Sequence, residues 1–101
     1  MTGKQRAKLR SAAQGIDALY QLGKNEPDED YIIQLGKGLD KNELIKIHVL
    51  ESAPYTPGEA AAELAGRTDS KVVQIIGKKI VLYRPSRIKE NRRLSEIISK
   101  L

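Results

Sequence analysis

The segment Val72 to Pro85, VVQIIGKKIVLYRP, limits what this chain can fold into more than any other stretch. Two short apolar runs flank Gly77-Lys78. Glycine at the first central position of a two-residue loop suits a type II′ turn, because only glycine takes the required positive φ at little cost. The stretch therefore predicts an antiparallel hairpin whose rim and exit carry Lys78, Lys79, Arg84 and Arg87. Positive charge concentrated beside a rigid element suits a surface that meets phosphate groups.

The remaining 87 of 101 residues must supply the packing partner for that hairpin, and a chain of this length can bury one core without staples. Cysteine is absent, which excludes disulfides, thiolate zinc sites and cysteine nucleophiles. No apolar run reaches the roughly 18 residues of a membrane span, and the N-terminus reads as a charged helix rather than a signal peptide. The expectation is a soluble cytoplasmic protein with no membrane partner. Charge is segregated. Residues 1–10 hold four Lys/Arg and no acid, residues 71–101 hold nine against two acids, and the stretch between holds five against eleven. Basic ends around an acidic middle predict a polarised molecule if the ends meet in the fold.

Helices and strands alternate along the chain. Thr2 and Gln5 have capping-box spacing, and Leu9, Ala12, Ala13 and Ile16 share a face that leaves Arg6, Lys8 and Arg10 outside it. A short strand is expected over Ala18 to Leu22. The loop Gly23-Lys24-Asn25-Glu26 then opens a second helix, with Pro27 at its first position, Asp28, Glu29 and Asp30 in its first turn, and an end near Lys41. Gly36 and Gly38 each weaken that helix by roughly 1 kcal/mol relative to alanine.

Leu44 to Val49 alternates Ile45, Ile47 and Val49 with Lys46 and His48, a strand with one wet face. Thr56-Pro57-Gly58-Glu59 combines a cap, a proline at the first helical position and a capping-box glutamate, so a third helix should run to about Gly66. The hairpin follows. Arg87 to Leu101 carries the stripe Leu94, Ile97, Ile98 and Leu101, an amphipathic terminal helix docked on its own domain or on a partner. The order α-β-α-β-α-β-β is that of an α/β two-layer sandwich closed by a terminal antiparallel hairpin.

Catalytic chemistry finds little support. His48 is the only histidine, and its alternation beside Lys46 marks an exposed strand residue rather than a metal ligand. The acids at 28–30 are accounted for by the helix dipole. The pairs Gly23-Lys24, Gly36-Lys37 and Gly77-Lys78 lack Walker spacing. The chain is read as non-enzymatic, with no catalytic residue, metal, cofactor or small-molecule substrate.

Three separated segments, TGKQRAKLR, NELIKIHV and VVQIIGKKIVLYRP, together resemble in order and spacing the bacterial single-domain members of the CRM family, the YhbY-like RNA-binding proteins tied to ribosome maturation. The resemblance covers residues 1–87 as an RNA-binding domain and leaves residues 88–101 as an amphipathic helical tail. It implies a helix-flanked, four-stranded mixed sheet similar to the C-terminal domain of bacterial translation initiation factor three. It also implies a partner: structured ribosomal RNA in precursors of the large subunit.

The family's GxxG loop falls here on Gly23, Lys24, Asn25 and Glu26, where backbone N–H groups at a helix entry can face a phosphate. This chain keeps the first glycine and carries Glu26 at the second, bringing bulk and negative charge to that entry. The candidate RNA-binding residues are Lys4, Lys8, Arg10, Gly23, Lys24, Asn25, Lys78, Lys79, Arg84 and Arg87.

Four scattered tyrosines and no Phe or Trp leave no stacking platform, so recognition of folded RNA by shape and backbone is expected. The alternative is a protein adaptor, or a weakly self-associating module, working through the apolar stripe of the terminal helix.

Overall fold

The computed structural model describes residues 1–25 and 27–101. Thr2 caps α1 (Gly3–Gln14) with the reciprocal capping box read from the sequence. β1 (Tyr20–Leu22) is shorter than expected at its start, where Leu19 is 76% exposed. α2 (Glu29–Asn42) begins two residues later than Pro27 would start it. The Asp28 side chain is the better cap, accepting the Tyr31 N–H at 2.8 Å, and Pro27 is left in the buried entry to the helix.

β2 (Leu44–Val49) has the expected bounds. α3 (Pro57–Thr68) starts on the Thr56 capping box and continues past Gly66 to a left-handed Asp69. β3 (Lys71–Ile76) and β4 (Lys79–Tyr83) form the hairpin, with Gly77 at φ +57° as a type II′ turn requires. The terminal segment departs most from expectation. It forms a single 3-10 turn at Lys89–Asn91 and a short α4 (Leu94–Ser99) rather than one long helix.

The sheet has the order β1-β2-β4-β3, with β1 parallel to β2 and the other pairs antiparallel. This is the four-stranded mixed sheet and the element order expected. One face packs on α2 and α3, through Leu22, Ile45, Ile47, Ile80 and Leu82 against Leu35, Leu39 and Leu64. On the other face α1 and α4 lay Leu9, Ala13 and Ile98 against Leu44, Val73, Val81 and Tyr83. The main two-layer packing is thus joined by a partial third layer of α1 and α4.

β3 carries an irregularity between Val72 and Gln74, and the Arg6 guanidinium donates there to the carbonyls of Val72 and Val73 at 3.1 and 2.7 Å. Arg6, outside the apolar stripe in sequence, is thereby turned inward onto the sheet edge. Lys4, Lys8 and Arg10 remain exposed on the outer surface of α1.

Candidate nucleic-acid interface

β1 and β2 run parallel, so their C-terminal ends emerge side by side, tied by Leu50 N–H to the Leu22 carbonyl at 2.9 Å. The hairpin turn joins them there, with Val49 N–H donating to the Lys78 carbonyl at 2.7 Å. Gly23, Lys24 and Asn25 therefore share one end of the sheet with Lys78 and Lys79. Lys24 and Asn25 are exposed beside a shallow depression of about 200 Å³ that Gly23 and Tyr31 also line. The Tyr31 hydroxyl donates to the Gln21 carbonyl at 2.9 Å; burial, then the neighbouring Tyr20, push its pKa up to about 12.

Gly23 has no positive φ, and a Cβ there would make only ordinary contacts with Leu50 and Ser52. Neither a special turn nor crowding by neighbours requires glycine at this position. Glu26, whose bulk and charge were expected at this entry, lies outside the described residues. Asp28 also lines the depression, and its carboxylate already accepts the Tyr31 N–H.

Lys78 forms an ion pair with Glu51, whose carboxylate offsets part of its charge; the Glu51 side chain is largely exposed, so the pair adds little stability. Lys79 lies opposite His48 on the sheet face that α1 only partly covers. Here sequence reasoning missed residues. A depression of about 230 Å³ brings Lys79 together with Gln14, Lys46, Gln74 and Ile76. The signal was present in the strand alternation, since positions 46 and 48 point away from the main core, but one wet face did not say that helix one would stop short of it. Lys46 is anchored by donating to the Ile16 carbonyl at 3.0 Å.

The structure separates Arg84 and Arg87 from this surface. They follow β4 at the end opposite the turn, with Arg84 roughly 16 Å from Lys79 at strand rise. Arg84 corrects the expectation of a surface contact: it is only 6% exposed. Its guanidinium donates to the carbonyls of Thr68 and Gly36 at 2.7 and 3.1 Å and to Asp40 Oδ1 at 2.8 Å. It ties α2, α3 and the hairpin exit together. The Arg87 side chain is exposed, while its backbone N–H also donates to Asp40 Oδ1 at 2.8 Å. Burial alone would raise the Asp40 pKa; the Arg87 N–H, the Arg84 hydrogen bond and the two arginine charges outweigh it and hold the carboxyl below its ordinary value.

The tail packs on its own domain. Ile98 is buried, and Gln5 Nε2 donates to its carbonyl at 3.0 Å, while Ile97 and Leu101 stay about half exposed. Among the described residues no group of three or more His, Cys, Asp or Glu is placed to hold a metal, and no helix is long and apolar enough to cross a membrane.

A helix-flanked mixed sheet with cations gathered at one end and along one helix defines a small α/β module with a basic face. Residues 1–84 match the CRS1/YhbY (CRM) domain. The chain is 37% identical over 94 residues to the Bacillus subtilis probable RNA-binding protein YqeI, covering 93% of this chain and 96% of that one. It is 30% identical to a Haemophilus influenzae RNA-binding protein over 85% of this chain and 87% of that one. The solution structure of a Staphylococcus aureus hypothetical protein, described as a candidate RNA-binding protein, superposes with a TM-score of 0.72 at 43% identity, over 88% of this chain and 93% of that one. The chain belongs to the CRS1/YhbY (CRM) domain family.

Proposed function

We propose that this chain is a non-enzymatic, cytoplasmic RNA-binding protein that holds structured ribosomal RNA in large-subunit precursors and assists their maturation. The observation that carries the reading is the convergence of the Gly23-Lys24-Asn25 loop with Lys78 and Lys79 at one end of the sheet. Family membership and the names of the relatives support RNA as the polyanion. Lys4, Lys8 and Arg10 on α1 add a second basic strip, and Lys46 adds a cation on the partly covered sheet face. Binding by this surface is electrostatic, through counterion release, with shape rather than base sequence deciding the target. The adaptor alternative is weaker, because Ile98 of its apolar stripe is already buried in cis.

The test is a sucrose-gradient profile of tagged protein in lysate at low and moderate salt, with RNA sequenced from each fraction. Salt-sensitive migration with free large subunits or their precursors is expected. Migration at the top of the gradient in both salts, without enriched RNA, would overturn the reading.

A further inference from the structure

A second cluster of cations lies on the α2/α3 side of the sheet, away from the hairpin turn. Lys37, Arg67, Arg84 and Arg87 line a depression of about 290 Å³, with Asp40 the one carboxylate among its walls. Asp40 is engaged: its Oδ1 accepts from both Arg84 Nη2 and the Arg87 N–H. Arg67 donates to the Pro27 carbonyl at 2.7 Å and pairs only loosely with the exposed Glu29 and Glu63, at 3.6 and 3.7 Å. The side chains of Lys37 and Arg87 are exposed and have no hydrogen-bond or ion-pair partner among the described residues.

At the base sits Arg84. Its two terminal nitrogens are satisfied, but its Nε is a buried donor without an acceptor, the one such side-chain atom among the described residues. An unmatched buried N–H is unfavourable and calls for an explanation. A ligand with several acceptor oxygens and negative charge would match the unpaired cations around it and, once the Arg84 guanidinium turns its sealed edge toward the depression, the orphan donor as well. Guanidinium groups suit phosphate in particular, since their planar forks bond two oxygens at once.

We propose that this depression is a binding site for a phosphate group, with Arg84 as its floor and Lys37, Arg67 and Arg87 closing on the oxygens. The group would belong either to an RNA backbone or to a small free phosphate compound. The site is distinct from the surface of α1 and the hairpin turn and does not depend on that reading.

The experiment follows the arginine Nε–Hε and backbone amide signals of ¹⁵N-labelled full-length protein, titrated with pyrophosphate at fixed ionic strength and, separately, with a short RNA hairpin. A saturable shift of the Arg84 Nε–H with pyrophosphate, accompanied by the Lys37 and Thr68 amides, is expected for a free phosphate ligand. The same shift with RNA alone assigns the site to backbone phosphate. In either case Lys37→Ala with Arg87→Ala weakens the response about tenfold, while Lys78→Ala with Lys79→Ala leaves the pyrophosphate response in place. No shift at Arg84 with either probe, or small shifts spread evenly over all surface lysines, would overturn the proposal. Because the first variant changes only exposed side chains, an unaltered spectrum elsewhere separates lost binding from lost fold.

Discussion

Glu43 holds the chain's C-terminal helix: its Oε1 accepts the backbone N–H of Ser95, 52 residues further on, at 2.9 Å. Its Oε2 accepts the Ser86 N–H at 2.7 Å, and its own carbonyl accepts the Arg84 N–H at 3.0 Å. Glu43 is fully buried and left-handed, at φ +66°, because it ends α2 and turns the chain directly into β2. One residue thus caps a helix, starts a strand and fastens the tail.

Replacing Glu43 with glutamine keeps the shape but turns one acceptor into a donor facing an N–H. The expected loss is about 1–3 kcal/mol of stability, with the tail released first. Urea unfolding gives the loss, and amide exchange at Ser86 and Ser95 gives its location; unchanged protection at both would contradict this role.

Arg84→Ala should destabilise the fold by about 2–4 kcal/mol, because it removes the charged partner of Asp40 and a side-chain donor to the Thr68 and Gly36 carbonyls. Charge reversal at Arg84 is therefore a poor probe of RNA contact. Lys78→Ala with Lys79→Ala should leave the unfolding midpoint unchanged and lower RNA affinity, with the slope of log K against log salt falling by about 2. Fluorescence anisotropy across a salt series reads both quantities.

Asp40 gives the fold an acid-side dependence. Its folded pKa lies below the ordinary 3.8, so its contribution is present above that value and is lost as pH falls through the folded pKa. Asp40→Asn should flatten the decline of stability below about pH 4. Denaturant titrations from neutral pH downward test this, and parallel curves for the two proteins would refute it.

Gly36 and Gly38, equivalent as helix weakeners in sequence, differ in the fold. A Cβ at Gly36 meets nothing within 4 Å, so Gly36→Ala should stabilise by about 0.5–1 kcal/mol. At Gly38 it would strike the Tyr20 ring and press on Ile45 at 3.3 Å, so Gly38→Ala should give no gain and displace Tyr20. Thermal melts that rise for Gly36→Ala and do not rise for Gly38→Ala are the expected result.

That contrast shows where the sequence was legible. Capping boxes at Thr2 and Thr56, the alternation of β2 and the turn at Gly77 depend on neighbours a few residues apart, and they predicted the elements and their order. The convergence of Lys24 with Lys78 was not legible, because it depends on the parallel pairing of β1 with β2 and on the contact of Val49 with the hairpin turn. The fate of Arg84 did not follow, because Asp40, Gly36 and Thr68 lie 44, 48 and 16 residues away and only the fold makes them its acceptors. The terminal helix was read too long for the same reason: Glu43 and Asp40 capture the Ser86, Arg87 and Ser95 N–H groups and direct the chain before helical periodicity can.

The contact of Arg6 with Val72 and Val73 has one further consequence. β3 is an outer strand, and exposed carbonyls on such a strand are a template on which another chain can add itself. By occupying two of them at the irregular part of the strand, the first helix leaves only the short stretch toward Ile75 and Ile76, which are 43% and 60% exposed, open to such recruitment. The basic helix proposed to draw the protein onto RNA thereby also shields part of one outer strand of the sheet.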